Sequence, residues 1–379
     1  MASNLPENVI VVGAGLAGVA LSRRLVQAGV PVTTLERRDA FANDGFAVNL
    51  PGNAIAALHQ LGLGDQIAQI GRPTRRREYR DHHDRLVFEI DEDAFWGAEH
   101  RPRCIKRADL LAALLDDLPG DLIQMSRPVA EIGQTDTTVT ARLETGEAIS
   151  ASLLVGADGV HSRTRAYAFP AAKAQSAVLS RASWRFLAPN PGIDAWTVWA
   201  GPSSIFLLIP VSDGEVYGWA SVSGSAPAGE TANGSALGPD IAAAFARFPK
   251  RVRDTLDYLV AHPGSVHWSP LEEVRIDTWT KGRVVLIGDA AHATAPVWAQ
   301  GVALALEDAN ALADLLSAGG DGSTVGARFE AARRARVRHV QAMTDKMSRA
   351  ARMPAVVRNL LMPVVGPKRY RQTYGPLRT

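Results

Sequence analysis

Three glycines near the start of the sequence have the spacing of a nucleotide-binding turn. They follow the apolar run 9–12 and precede a stretch, 16–27, in which apolar residues recur at helical spacing. Small residues in such a turn let backbone amides approach a pyrophosphate at the N-terminus of the helix. The turn therefore predicts a dinucleotide site. The predicted contacts in it are Gly13, Gly15, Leu16, Ala17 and Gly18.

A carboxylate stands where such a site would hold the ribose. Glu36 ends the predicted strand 32–36, about 20 residues after the turn. A carboxylate at this position accepts hydrogen bonds from both ribose hydroxyls of an adenosine and repels a 2′-phosphate. The glycines and Glu36 together favour FAD or NAD over NADP.

Two later segments place an aspartate directly after a buried strand. Asp158 follows the apolar run 153–155, and Asp289 follows the run 284–287; both have glycine and alanine neighbours. Doubly wound sheets bind ligands at the carboxyl ends of their strands, and small neighbours permit a close backbone approach. We expect each aspartate to lie near a ribityl hydroxyl or a phosphate, which favours FAD over NAD.

These three segments, in this order, resemble the FAD-dependent aromatic hydroxylases, the group A flavoprotein monooxygenases related to para-hydroxybenzoate hydroxylase and including the tetracycline-inactivating monooxygenases. The resemblance covers nearly the whole chain. It implies that the glycine turn and Glu36 hold the ADP half of FAD. It also implies that the segment of Asp158 lies near the FAD and nicotinamide pyrophosphates and that Asp289 holds the ribityl chain. The further cofactor contacts that it implies are Arg37, Asn49, Arg107, Gly288, Gly301 and Val302.

One segment departs from the family pattern. The family's Gly-Gln-Gly-x-Asn becomes a run from Ala299 to Ala303 that keeps the glutamine and the second glycine. Backbone amides at the following helix start still favour negative charge on the reduced flavin, because the helix dipole needs no particular side chain. The departure therefore concerns the orientation of the flavin. Trp298, just before it, either walls the substrate pocket or packs in the core.

The resemblance implies a monooxygenase that consumes NADH or NADPH and O2. It would hydroxylate a small aromatic or polycyclic substrate through a flavin C4a-hydroperoxide, while the protein positions the substrate and excludes water. Two alternatives stay open: an epoxidase or Baeyer-Villiger-type oxygenase of a natural-product pathway, and a redox-silent FAD-binding protein, suggested by Ala299 and Ala303. A flavin halogenase is disfavoured, because Trp196 and Trp199 do not match the W-x-W-x-I-P signature.

Composition argues against several other classes. The 379 residues carry a net charge of +2, which indicates no strong preference for nucleic acid. The single cysteine, Cys104, rules out an intramolecular disulfide and a thiolate zinc cluster. No apolar run reaches the roughly 18 residues of a spanning helix. We therefore predict a cytoplasmic protein without a metal site or stable membrane insertion, either a monomer or a homodimer.

The predicted strands and helices indicate an α/β fold, α+β overall. In this fold a Rossmann-like FAD-binding domain carries an inserted, mostly antiparallel substrate domain and C-terminal helices. The predicted divisions are 1–74, 101–168 and 270–322 for the FAD-binding domain, 75–100 and 169–269 for the substrate domain, and 323–379 for the helical segment. Strands in the substrate domain are predicted at 75–80, 85–90, 183–187, 195–200, 205–211 and 216–222. Helices are predicted at 107–118, 241–248, 251–261 and 324–352, the last ending before Pro354, and a mobile loop is predicted at 224–238.

The sequence assigns no catalytic residue. A phenolic substrate reacts faster once deprotonated, and a histidine or tyrosine can do this. The candidates are His82, His83, Tyr217 and His267, for each of which a surface or structural role is favoured. Alternation in the predicted sheet turns its large side chains either toward the flavin or into the sheet core. The residues concerned are Trp184, Arg185, Trp199, Phe206, Leu208 and Trp219.

Two stretches are rich in arginine. The hairpin run could steer an anionic ligand, but a solvated hairpin face is the favoured interpretation. Its members are Arg72, Arg75, Arg76, Arg77 and Arg80. The C-terminal run precedes the apolar segment 360–365, and its two interpretations are a membrane-surface role and a packed, solvated helix, with the second favoured. Its members are Arg333, Arg334, Arg336, Arg338, Arg349 and Arg352.

Overall fold

The computed structural model describes residues 8–41, 46–173, 175–176, 182–222, 243–319, 322–351, 353 and 355–378. The loop predicted at 224–238 lies outside these residues, as do Arg352, Pro354 and the first two residues of the helix predicted at 241–248.

A mostly parallel sheet of six strands carries the glycine turn. Its strands are β1 (Val9–Val12), β2 (Val32–Leu35), β8 (Ile123–Gln124), β12 (Leu153–Gly156), β20 (Thr280–Lys281) and β21 (Val284–Leu286), in the order β20-β21-β12-β1-β2-β8. All neighbours pair in parallel except β20, which lies antiparallel at the edge. The residues of β21 are fully buried, as is usual for parallel strands covered on both faces. The predicted strands are therefore confirmed.

Helices cover this sheet and extend beyond it. They are α1 (Leu16–Gln27), α2 (Gly52–Gln60), α3 (Gly64–Gln69), α4 (Glu92–Trp96), α5 (Arg107–Leu115), α6 (Arg163–Ala168), α7 (Lys250–Ala261), α8 (Asp289–His292), α9 (Gln300–Ser317), α10 (Gly322–Ala351) and α11 (Ala355–Tyr374). Helix α1 packs closely on α9, which places the glycine turn beside the start of α9. Helix α5 ends at Leu115, three residues before the predicted end.

A second, mostly antiparallel sheet has seven strands. They are β5 (Arg76–Asp81), β6 (Leu86–Asp91), β14 (Ala182–Pro189), β15 (Trp196–Ala200), β16 (Ser204–Pro210), β17 (Glu215–Val222) and β18 (Val266–Pro270), in the order β18-β14-β17-β16-β15-β5-β6. Only the pair β15 and β5 is parallel among these strands. The mixed α/β fold class is confirmed, while the division into a FAD-binding and a substrate domain stays a prediction.

Alternation along this second sheet sorts its large side chains onto two faces. One face carries Trp184, Trp199, Phe206 and Leu208, which pack with the apolar residues of α7. The other face carries Arg185 and Trp219, which are cross-strand partners. Side chains along a strand point alternately to the two faces of the sheet. The six large side chains named in the sequence analysis therefore do not all face one ligand. For the four on the first face, the sheet-core interpretation is the correct one.

Three small sheets complete the described strands. Strands β9 (Val129–Gln134), β10 (Val139–Leu143) and β11 (Ala148–Ala151) form a meander. Strands β3 (Ala47–Leu50), β4 (Arg72–Pro73) and β7 (Arg103–Lys106) form another sheet, and β13 (Gln175–Ser176) pairs with β19 (Glu272–Glu273). Sheet β3-β7-β4 matters for the site, because it positions Asn49 and leads directly into Arg107 at the start of α5.

The C-terminal helices lie against both sheets. Helix α10 packs on α9, and α11 packs on β6. Helix α11, within the predicted helical segment 323–379, contains Pro363 and Pro367, which each remove a backbone donor. No helix among the described residues is both long and apolar enough to cross a bilayer.

Candidate functional site

The glycine turn is built by close backbone approaches that a side chain would block. Gly13 has φ of +105°, and a Cβ there would lie 2.7 Å from the carbonyl oxygen of Ala157. A Cβ on Gly18 would lie 1.9 Å from the carbonyl oxygen of Gly13. A Cβ on Gly15 would meet no atom within 4 Å, so this position faces open space. Gly13 and Gly18 therefore shape the turn, and Gly15 presents its backbone outward.

Glu36 closes the turn from the next strand. Its Oε2 accepts a hydrogen bond from the Ala14 amide at 2.8 Å, and its Oε1 accepts one from the Arg38 amide at 3.0 Å. Each carboxylate oxygen has a second lone pair, so these bonds leave acceptor capacity for ribose hydroxyls. The predicted carboxylate is in the predicted place, already oriented by the backbone.

The Asp158 carboxylate accepts hydrogen bonds from residues of its own segment. Its Oδ1 accepts from the Ser162 hydroxyl at 2.5 Å, and its Oδ2 accepts from the amide and the hydroxyl of Thr164 at 3.0 and 3.1 Å. The side chain thus holds the start of α6 and fixes the loop through Gly159. Arg165 then donates to the Ala290 carbonyl at 3.0 Å, which ties the second segment to the third.

Asp289 is exposed although both of its neighbours are buried. No hydrogen-bond partner or ion-pair partner of its carboxylate occurs among the described residues. It faces the start of α9, where a Cβ on Gly301 would lie 3.9 Å from Asp289 Oδ1. Gly288 adopts φ of +57°, and a Cβ there would lie 3.1 Å from the Cβ of Ala17. The turn therefore needs Gly288 for its shape and presents Asp289 as a carboxylate available to a ligand.

A buried polar cluster fixes this turn from behind. Asp308 is fully buried; its Oδ2 lies 2.6 Å from His292 Nε2 and accepts from the Gly288 amide at 2.9 Å, and its Oδ1 accepts from Arg333 Nε at 2.8 Å. Burial alone would raise the pKa of Asp308, but His292 and Arg333 outweigh it and lower that pKa to about 2. The cluster joins α8, α9 and α10 around one charge.

The sequence missed this cluster, although both halves of it were visible. The sequence gives no role to Glu307 or Asp308, and it places Arg333 in the arginine run for which a packed, solvated helix was favoured. Arg333 is in fact buried and also donates to Glu307 at 2.8 Å. Pairing between α9 and α10 depends on tertiary packing, which spacing along one helix does not reveal.

Two adjoining cavities open along these elements. The first cavity, of about 560 Å³, lies beside the glycine turn and is lined by Gly13, Gly15, Glu36, Arg37, Arg107 and Asp158, among others. The second cavity, of about 660 Å³, is lined by Leu16, Ala17, Asn49, Arg107, Asp289, Gly301 and Val302, among others. Gly15, Arg107 and Ala157 line both, so the cavities meet at the turn. Gly18 and Gly288 line neither cavity. Each permits the close backbone approach that its turn requires.

Asn49 carries the most direct sign of a missing partner on the second cavity. Its Oδ1 is buried and has no hydrogen-bond partner within the described part of the chain. A buried polar atom left without a partner is costly, and Asn49 borders the cavity, so a donor of a bound ligand can complete the bonding of this oxygen. Asn49 lies on β3 at the cavity wall, as the resemblance implied.

The altered segment at the start of α9 has a left-handed residue at the position where the family has glycine. Ala299 has φ of +53° and ψ of +36°, a left-handed conformation that glycine adopts without strain. Gln300 and Asn53 exchange two side-chain hydrogen bonds of 3.0 and 3.1 Å, which pins the helix start to α2. Ala303 is fully buried, so its methyl group packs where the family has an asparagine.

We expect Ala299→Gly to stabilise the protein, because it removes the left-handed strain of an alanine. The gain should be at most about 1 kcal/mol, since glycine also costs backbone entropy. The same substitution at Ala311, inside α9, should destabilise by about 1 kcal/mol. Urea unfolding of both variants measures the opposite signs. Equal destabilisation by both would show that Ala299 carries no strain.

Part of the wall of the second cavity is aromatic and rich in hydrogen-bond donors. The Nε1 atoms of Trp196, Trp219 and Trp298 and the Nε of Arg185 are buried without a partner among the described residues. All four residues line the cavity. Trp298 is buried in the core and also lines this cavity, so it both packs in the core and forms part of the pocket wall.

Of the four candidates for a catalytic base, only Tyr217 lies on either of these cavities. Burial raises the pKa of Tyr217, and nearby Arg185 lowers it only in part. The phenol is therefore protonated at neutral pH and available as a hydrogen-bond donor. The His82 ring lies tilted beside the rings of His83 and Phe248, and His267 is exposed on β18; none of the three histidines lines either cavity.

Arg77 corrects the prediction of a solvated hairpin. Arg75 and Arg76 are exposed as expected, whereas Arg77 is 2% exposed and forms an ion pair with Glu92. Its guanidinium lies over the rings of Trp196, Tyr370 and Tyr374 at 5.0 to 5.5 Å. The alternation of β5 turns this one arginine inward, where it joins the second sheet to α4 and α11.

Comparison with known proteins gives the same picture. The sequence model of the family described as FAD binding domain matches residues 7–347. The 2-heptyl-3-hydroxy-4(1H)-quinolone synthase of Pseudomonas aeruginosa is 31% identical over 312 residues, covering 81% of this chain and 80% of that protein. The 3-amino-4-hydroxybenzoate 2-monooxygenase of Streptomyces cremeus is 31% identical over 322 residues, covering 82% and 78%. Klebsiella pneumoniae HpxO, solved with FAD and uric acid, shares the fold with a TM-score of 0.84 at 24% identity, covering 98% and 94%.

These similarities extend over most of the chain and include the turn, both aspartate segments and the second sheet. The family match covers far more than half of the residues. The relatives are named as oxygenating enzymes or FAD-dependent hydroxylases. The chain therefore belongs to the FAD-dependent aromatic monooxygenases and is an oxidoreductase that binds FAD.

Proposed function

We propose that the protein is an NAD(P)H-consuming hydroxylase of a small aromatic or polycyclic substrate. The observation that carries the proposal is the pair of adjoining cavities. The first has the glycine turn and Glu36 of a dinucleotide site, and the second has an aromatic, donor-rich wall. The turn that they share would place the two ends of FAD in different chemical surroundings. The named activities of the relatives support the same reaction class.

The proposed reaction consumes one substrate, one O2 and one reduced nicotinamide. FAD held along the two cavities would supply the redox chemistry, taking reducing equivalents from NADH or NADPH and activating O2, with one oxygen atom entering the substrate and the other released as water. The protein residues bind the cofactor, orient the substrate and exclude water from the second cavity. The reaction needs no metal ligand and no protein nucleophile.

We assign the cofactor contacts by position on the two cavities. Asp289 would hold the ribityl chain, since it lines the second cavity and its carboxylate has no partner among the described residues. Amides at the start of α9 would face the pyrimidine side of the flavin, where negative charge develops. The residues proposed to bind FAD directly are Gly13, Gly15, Leu16, Ala17, Glu36, Arg37, Asn49, Arg107, Asp289, Gly301 and Val302. Gly18, Asp158 and Gly288 would shape the backbone that binds it.

The donor-rich wall favours a substrate that carries hydrogen-bond acceptors. Indole N–H groups can only donate, and an arginine cannot be deprotonated in proteins. Trp196, Trp219 and Arg185 therefore need acceptor oxygens or nitrogens in the bound molecule. Apolar residues such as Leu207 and Ile209 line the same wall and suit an aromatic ring. We propose an aromatic substrate with a phenol, carbonyl or carboxylate group.

The absorption spectrum of the purified protein is the first test of this function. We expect a flavin spectrum that bleaches on anaerobic addition of NADH or NADPH, faster with one member of a panel of phenols and polycyclic aromatics. In air, that compound should gain one oxygen atom, and its product structure separates ring hydroxylation from epoxidation or ring expansion. A flavin that no nicotinamide reduces with any panel member would contradict the proposal.

Arg185→Leu tests the substrate class within the same assay. Loss of a charge-assisted hydrogen bond costs about 1.5 to 3 kcal/mol, so kcat/KM for an acceptor-bearing substrate should fall roughly 10- to 100-fold. Arg75→Leu is the matched control, because Arg75 is exposed and lies outside both cavities. Equal kinetics for the two variants would remove Arg185 from the substrate site while leaving the reaction class intact.

A further inference from the structure

Helix α11 has an apolar stripe on the side that faces away from the protein. Leu360 and Val364 are each 77% exposed, and Val357 and Leu361 are 42% and 44% exposed. These positions have the i, i+3, i+4, i+7 spacing of one helix face. Scattered exposed apolar residues are ordinary, but four on one face form a continuous surface that favours contact with another apolar phase.

The opposite side of α11 is fixed to the protein, so the stripe cannot turn inward. Arg358 donates to the Gly201 carbonyl at 2.7 Å, and the Tyr370 hydroxyl donates to Glu92 Oε2 at 2.5 Å. Gly366 packs so tightly that a Cβ there would lie 2.4 Å from the ring of Phe88. The helix is therefore amphipathic in its observed orientation, with its apolar stripe held toward the outside.

The charged residues of this C-terminal segment have one sign. From residue 346 to the end of the sequence there are eight lysines and arginines and no aspartate or glutamate. Lys368 and Arg371 are exposed and follow the stripe on the same helix face, since they continue its spacing from Leu361 and Val364. Lys346 and Arg349 are exposed on the preceding helix. An apolar stripe flanked by cations is the pattern of a helix that lies in the interface of an anionic bilayer.

We propose that the outer face of α11 docks on an anionic lipid surface, with Leu360 and Val364 in the acyl boundary and Lys368 and Arg371 against the headgroups. A second copy of the chain fits this face less well. A two-fold contact would bring the same cations of both copies together, with no acidic residue of the segment to oppose them. Arg358 and Met362 on the inner face of α11 line the second cavity, so a docked helix places that cavity beside the lipid.

Flotation of the full-length flavoprotein with lipid vesicles tests this proposal. We expect binding to vesicles of phosphatidylcholine with phosphatidylglycerol, weakened by salt, and much weaker binding to phosphatidylcholine alone. The double variant Leu360→Ser/Val364→Ser keeps the net charge, so its partition should fall at least about tenfold through lost apolar burial alone. The double variant Lys368→Gln/Arg371→Gln should bind anionic vesicles more weakly, by roughly fivefold for each cation removed.

Val260→Ser is the matched control, because Val260 is 57% exposed on α7, away from this face. It should float like the unmodified protein, and retained FAD and unfolding temperature confirm that each variant is folded. Absence of binding to anionic vesicles overturns the proposal. Equal binding by the double serine variant and the control also overturns it, since attraction would then need only the general charge. Light scattering that shows a dimer lost in the serine variant would assign the face to a second copy instead.

Discussion

Asp289→Ala should purify with little or no bound flavin. The carboxylate is the one exposed group in an otherwise buried turn, and its oxygens have no partner among the described residues. A hydrogen bond to a charged group contributes about 1.5 to 3 kcal/mol, so the affinity for FAD should fall roughly 10- to 100-fold. The ratio of flavin to protein absorbance measures occupancy after purification, and titration of apoprotein with FAD measures the affinity.

Asp257→Ala is the matched control for this variant. Asp257 is exposed on α7, outside both cavities, and the substitution removes the same charge. It should keep full flavin occupancy. An Asp289→Ala protein with full flavin and unchanged affinity would show that the ribityl chain is held elsewhere. The turn itself should survive the substitution, because Gly288 and not Asp289 makes the backbone bond to Asp308.

The sequence predicted the nucleotide-binding elements well, because their signals are local. Three glycines and a carboxylate at fixed spacing require a particular turn, and the structure has that turn with contacts that no side chain could occupy. The buried strands of the first sheet were equally clear, since parallel strands are apolar on both faces. The segments at Asp158 and Asp289 were found for the same reason.

Contacts between distant segments were not predictable in the same way. Asp158 lines the first cavity, but the sequence did not show that its oxygens also accept hydrogen bonds from Ser162 and Thr164 of its own segment. Arg77 and Arg333 look like members of charged surface runs, but both are buried and meet a carboxylate from another element. A single sequence shows the period of a strand or helix, but it does not show which neighbour packs against each face.

Burial also changed the chemistry expected of Tyr217. Tyr217 was a candidate base from the sequence. In the structure it lines the second cavity, and burial raises its pKa. A protonated phenol beside Arg185, Trp196 and Trp219 makes this wall a set of donors. A phenol or carboxylate in the substrate would then be bound by hydrogen bonds that favour its anionic form. The wall itself would lower the pKa of a phenolic substrate, without a separate protein base.

Asp308→Asn should destabilise the protein and weaken its hold on FAD. Removal of one partner from a buried ion pair leaves the other charges uncompensated, at a cost of about 3 to 5 kcal/mol. Here Arg333 would lose its contact with a fully buried carboxylate, and the Gly288 turn would lose the anchor beside Asp289. Urea unfolding of the flavoprotein measures the loss. Asp314→Asn is the control, because Asp314 pairs with Arg24 at the surface and should change stability by less than about 1 kcal/mol.

Acid should reveal the same cluster in the unmodified protein. The pKa of Asp308 is lowered from 3.8 to about 2 in the folded chain, so the unfolded chain binds its proton first. The stabilisation is fully present above pH 3.8 and is lost as the pH falls through about 2; a shift of this size corresponds to about 2 kcal/mol. In Asp308→Asn this contribution is absent, so its stability should depend less steeply on pH between about 4 and 2. Parallel acid unfolding curves for the two proteins would show that the protonation of Asp308 does not contribute to the acid sensitivity of the fold.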